Sequence, residues 1–154
     1  MNKIISLLLV VLTMSFVGCS NKAEVKDVAV EDIKAAINNE TLLSIQPVGE
    51  LDAKEFYAFE DVKDSIKEGF VLQAMINVRL QDVFVVKTDE SDKVKQAIEK
   101  YKTESLRAFS DGYGGEDNAT SVANSTIESV GDYVYFIAAP NVEEIEAKIL
   151  EMIK

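Results

Sequence analysis

Histidine and tryptophan are missing from this 154-residue chain, cysteine occurs once and proline only twice. Without imidazole there is no His-ligated zinc site and no Ser-His-Asp or Cys-His nucleophile. One cysteine cannot close a disulfide within the chain. Basic residues are also scarce: 16 Lys and Arg stand against 27 Asp and Glu, a formal net charge of −11. Nucleic acid requires clustered cations, so no nucleic-acid partner is expected. There is no Gly-x-Ser-x-Gly elbow, no Ser-x-x-Lys pair and no phosphate-cradling glycine pattern. No cofactor is expected. Repeats and low-complexity tracts are absent, and Pro47 and Pro140 mark no linker. What remains is a chain 47% hydrophobic. At this length a single domain buries roughly two-thirds of its unfolded surface.

The apolar residues are unevenly spread. After Lys3, the run Ile4–Val17 has no charge and ends at Gly18-Cys19. As a helix the run reaches roughly 21 Å, short of the ~30 Å hydrocarbon core of a bilayer. A positive start, a short apolar core and a small residue before the cut describe a signal peptide over residues 1–18. Phe16-Val17-Gly18-Cys19 resembles the lipobox of bacterial lipoproteins, and that resemblance implies diacylglyceryl attachment to the Cys19 sulfur. Two acyl chains, at ~0.8 kcal/mol per buried CH2, suffice for stable anchoring. Removal of Lys3 leaves the mature chain one unit more acidic, so lipid rather than charge attraction must hold it to the membrane. Residues 19–29 read as a lipidated tether and 30–154 as a single domain.

Within that domain Val30, Ile33 and Ile37 recur at helical spacing. Leu51–Tyr57 and Glu60–Lys67 read as short helices, with Gly69 as a helix stop. Phe70–Val78 and Asp82–Lys87 read as strands joined through Arg79–Gln81. Val94, Ile98, Tyr101, Ser105 and Phe109 predict one amphipathic helix of roughly twenty residues. Three glycines between Asp111 and Asn118 predict a loop reaching Asn124, since each glycine costs about 1 kcal/mol in a helix. Thr126–Val130, Gly131-Asp132 and Tyr133–Ala138 form a hairpin pattern. Asn141 with Glu144 has the spacing of a capping box before a terminal helix striped by Val142, Ile145, Ile149 and Met152. The order predicts an α+β fold: a small antiparallel sheet of about four strands in two hairpins, with helices on one face.

The lipobox, Asp82-Val83-Phe84-Val85-Val86-Lys87, the long charged helix, and Val130-Gly131-Asp132-Tyr133-Val134-Tyr135-Phe136 before a terminal helix resemble the bacterial lipoproteins carrying domain of unknown function 4358. The resemblance runs over roughly residues 30–154 and places Asp82 at an acidic position of that family and Tyr113 at a tyrosine position. It implies a location and a fold, and no reaction.

Oxygen donors gather at Asp111, Glu116, Asp117 and Asn118, but the Asp-x-Asp-x-Asp-Gly calcium register is absent. The segment reads as a solvated loop and no metal is assigned. Acidic pairs recur along the chain, so none singles out a carboxylate-based hydrolase. Phe56, Tyr57 and Phe59 cluster, and Tyr133 and Tyr135 share one strand face opposite Val134 and Phe136. Alternation would bury one of those faces and show the other. The expectation is a non-enzymatic, extracytoplasmic lipoprotein anchored to the cell membrane through Cys19, engaged in protein or cell-envelope interaction. The alternative is a small-molecule or metal-binding module at the cell surface.

Overall fold

A computed structural model describes residues 24–154. The signal peptide and Cys19 lie outside the described residues. The chain opens with helix α1 (Val30–Ile37) and edge strand β1 (Val48–Asp52). A 3-10 turn (Ala53–Glu55) and a 3-10 helix (Tyr57–Ser65) lead to β2 (Ile66–Ala74) and β3 (Asp82–Thr88). Helices α2 (Ser91–Glu104), α3 (Arg107–Ser110) and α4 (Glu116–Ala123) follow, then β4 (Thr126–Val130), β5 (Tyr133–Ala138) and α5 (Val142–Ile153). The strands form one antiparallel sheet in the order β1-β2-β3-β5-β4. The α+β architecture expected from the sequence is therefore present, with one more strand.

The extra strand is β1, whose Val-Gly-Glu-Leu-Asp lacks an apolar alternation because it pairs on one side only. Leu51, read as the start of a helix, lies in it and is largely exposed. Helices cover both faces of the sheet, not one. Phe84, Phe136, Val71 and Val134 face the 3-10 helix and α2–α4. Val83, Val85, Tyr133, Tyr135 and Ile137 face α1 and α5. The cause is visible in β3 and β5, where apolar residues run on without alternating, so both faces must be covered. Tyr133 and Tyr135 are buried for this reason, and the exposed tyrosine face does not form.

Four local readings also change. The single long helix is two: α2 stops at Glu104, and Leu106 turns into the core before α3 begins. The supposed loop to Asn124 contains α4, which starts after Gly115 (φ 108°) with Glu116 and Asp117 in its first turn, where the helix dipole favours acids. Of Glu60–Lys67, the part to Ser65 is 3-10 helix, and Ile66 and Lys67 already belong to β2. Gly69 stops no helix. It lies inside β2, where an added Cβ would come within 2.8 Å of the Ala53 Cβ and 2.9 Å of the Val85 carbonyl.

Both ends of the folded unit are tied down. Val25 and Val28, within the stretch read from the sequence as a tether, rest on the α1–α5 core. The Lys26 N–H donates to the Ile153 carbonyl at 3.0 Å. The Asn141 side chain does not accept the capping bond. Its Nδ2 donates instead to the Leu42 carbonyl (3.0 Å) and to Glu144 Oε2 (3.3 Å), leaving Oδ1 buried without a partner.

Candidate functional site

The aromatic residues of the 3-10 helix and α2 build the most distinctive feature. Phe84 at the centre of the sheet contacts Phe56, Tyr101 and Phe136, with ring centroids 5.0, 5.2 and 5.1 Å away. Such tilted aromatic pairs each add about 0.5–1.5 kcal/mol beyond area burial. The cluster forms because α2 places Val94, Ile98 and Tyr101 on one stripe, and the 3-10 helix turns Phe56 and Phe59 inward. Tyr57 is the exception. It is 65% exposed, packs against Phe56 and Tyr101 with centroids 4.8 and 6.1 Å away, and its hydroxyl donates to Ser105 Oγ at 2.9 Å.

Between this segment and α2 lies an open groove of about 380 Å³. Val62, Ala58 and Ala97 supply apolar lining, while Asp61, Lys93, Lys100 and Glu104 bring both signs of charge. Tyr57 stands at the end nearer Ser105. A half-open apolar trough with a fixed aromatic and mixed charges suits contact with an extended partner.

Beneath the groove Tyr101 reaches inward to a buried polar cluster. Its hydroxyl donates to Asp82 Oδ2 at 2.6 Å. Gln73 Nε2 donates to Asp82 Oδ1 at 3.1 Å and to the Tyr101 oxygen at 3.0 Å. Asp82 is 4% exposed, and no cation is among its partners. Burial pushes its carboxyl up to about 6, against the opposing pull of the Tyr101 and Gln73 hydrogen bonds. Burial and the neighbouring Asp82 together hold the Tyr101 hydroxyl well above its ordinary range. A carboxyl so perturbed is the kind of group that marks functional sites, although structural networks perturb too. Here Tyr101 lines the groove and Asp82 does not.

The acidic residues named in the glycine-rich segment are not brought together. Asp111 meets Arg107 at 3.7 Å, while Glu116 and Asp117 sit in the first turn of α4. Asn118 is committed to structure: its Oδ1 accepts from the Leu80 N–H (3.0 Å), and its Nδ2 donates to the carbonyls of Val78 (2.9 Å) and Tyr113 (3.0 Å). Among the described residues no three Asp, Glu, Cys or His side chains form a metal-binding group. Tyr113 is half-exposed and packs on Phe109 at 5.7 Å. The contributions of Gln73 and Tyr101 escape sequence reading because Tyr101 fits an apolar helical stripe. The available signal was Asp82, an acid opening an otherwise apolar strand.

A five-stranded antiparallel sheet between two helical layers, with an aromatic groove on one flank, defines an α+β domain. The model of the family described as Domain of unknown function (DUF4358) matches residues 41–139, from just after α1 through the last residues of the sheet. The chain belongs to that family. No curated protein and no solved structure matches it.

Proposed function

We propose that this protein is an extracytoplasmic lipoprotein, held at the cell membrane by diacylated Cys19, whose domain is a non-enzymatic binding module for an envelope protein or cell-wall polymer. The signal-like run ending at Gly18-Cys19 supports the location. No helix among the described residues is long and apolar enough to cross a membrane. The observation that carries the binding role is Tyr57, an exposed aromatic hydrogen-bonded to Ser105 at the rim of an apolar groove flanked by both charge signs. Aromatic anchors of this kind dominate contact surfaces. A non-enzymatic role fits a groove behind which the perturbed carboxyl, Asp82, is hydrogen-bonded to Tyr101.

A second reading, a small-molecule site, draws on the groove volume, which falls at the low end of the roughly 300–1,000 Å³ typical of ligand pockets. A photo-crosslinking amino acid decides between them. Placed at Gln96 beside the groove, it yields a discrete macromolecular adduct in intact cells, while at Ala147 on the outer face of α5 it does not. Equal yields at both positions, or no adduct at Gln96, contradict the macromolecular reading.

A further inference from the structure

The residues that follow the proposed anchor are fastened to one end of the domain. The Val28 N–H donates to the Tyr133 hydroxyl at 2.6 Å, and that hydroxyl donates to the Val28 carbonyl at 2.6 Å. Lys87 pairs with Asp27, and the Lys26 N–H is bonded to the Ile153 carbonyl. Val25 lies against Gly131, so close that a Cβ there would fall 2.8 Å from its Cγ1. Of these partners Lys87, Gly131 and Tyr133 belong to the end of the sheet where β3 finishes at Thr88 and the β4–β5 turn passes through Gly131-Asp132, and Ile153 is the last residue of α5. The Thr88 N–H is itself bonded to the Asp132 carbonyl at 2.8 Å.

Only residues 20–24 separate Cys19 from Val25. Fully extended, that stretch reaches roughly 20 Å. A leash of this length, leaving from a fixed point at one end of the sheet, cannot let the domain turn over. We infer that the anchored domain stands with the Thr88 and Gly131-Asp132 end apposed to the phospholipid headgroups and its β2–β3 loop, residues 75–81, directed away from them. This rests on the lipid-anchor reading. The constraint comes from leash length and not from charge, because Lys67 and Lys87 at this end are each matched by two carboxylates: Asp89 and Asp132, and Asp27 and Glu68.

The orientation has a consequence for the groove. Ser65, whose carbonyl accepts from the Thr88 hydroxyl, ends the 3-10 helix at the membrane side, whereas Tyr57 contacts Tyr101 and Ser105 toward the Asp82 end. The groove therefore runs along the membrane normal, with its aromatic end outward.

The test uses the full-length diacylated protein in uncharged phosphatidylethanolamine–phosphatidylcholine vesicles, so that loss of the Asp89 charge cannot itself draw that end to the membrane. Cys19 is blocked by its thioether, so Asp89→Cys and Asn77→Cys each provide one labelling site, both at exposed positions. Energy transfer to a headgroup-linked acceptor should be about threefold greater from position 89 than from position 77, given a separation of roughly 20 Å along β3. Insertion of about twelve Gly and Ser residues after Ala23 should bring the two efficiencies together by lengthening the leash. Equal transfer from both positions without the insertion, or greater transfer from position 77, overturns the orientation. A purified native protein that does not float with vesicles overturns the lipid anchor first, and the orientation with it.

Discussion

Replacing Asp82 with asparagine tests the account of the buried polar cluster. The carboxyl is nearly inaccessible, accepts hydrogen bonds from Tyr101 and Gln73, and has no cation among its partners. Its folded value of about 6 lies above the unfolded 3.8. Between those values the native state holds more protons than the unfolded chain, so stability falls as pH rises. The difference, at 1.36 kcal/mol per pH unit, amounts to about 3 kcal/mol in all, of which about 2–3 kcal/mol is lost between pH 4 and pH 7. Asparagine has the same shape, keeps an oxygen for the Tyr101 hydroxyl, and can donate to Gln73 after rotation of that amide. It carries no charge at any pH. The surface carboxylates titrate alike in both proteins, so the difference between them isolates position 82. Urea unfolding of wild type and Asp82→Asn should give nearly equal stabilities at pH 4, with the variant about 2–3 kcal/mol more stable at pH 7.5. A difference that stays flat across that range, or a variant that loses ground as pH rises, refutes the reasoning.

Three further outcomes are expected. Asn118→Ala strands the buried Leu80 N–H and releases the Val78 and Tyr113 carbonyls, so urea unfolding should show a loss of about 2–3 kcal/mol. Added Ca²⁺ should not stabilise the wild type, as it would if Asn118 served a metal. Tyr133→Phe removes the hydroxyl that holds Val28, at a cost of about 1–2 kcal/mol. Limited trypsin digestion should then cut faster after Lys26 than in wild type, and an unchanged rate would deny the clamp. Cys19→Ala should abolish incorporation of labelled palmitate and leave uncleaved precursor, whereas full labelling of that variant would contradict lipidation at this residue.

The elements with strong periodicity were legible in the sequence. β3, the β4–β5 hairpin, α1 and α5 fall close to where alternation or helical spacing puts them. The two-sided burial of the sheet was written in the unbroken runs Val83–Val86 and Tyr133–Ala138, and was lost by treating them as half-exposed strands. β1 could not be read because an edge strand with Gly49, Glu50 and Asp52 owes its form to pairing with β2 rather than to its own pattern. The division of the long helix depends on Leu106 turning inward, a tertiary preference that the spacing of Ser105 and Phe109 conceals. Of the candidate site, Asp82 and the Phe56-Tyr57-Phe59 cluster were visible as residues. Their separate fates were not: exposure singles out Tyr57, and only packing between distant segments brings Gln73 and Tyr101 to Asp82.

The proposed placement outside the cell membrane underlies the proposed binding role and orientation, and the mass of the N-terminal peptide from native membranes tests it most directly. A mature chain starting at Cys19 and carrying a thioether-linked diacylglyceryl group is the expected result. An unmodified peptide retaining Met1, recovered from the cytosolic fraction, would contradict it.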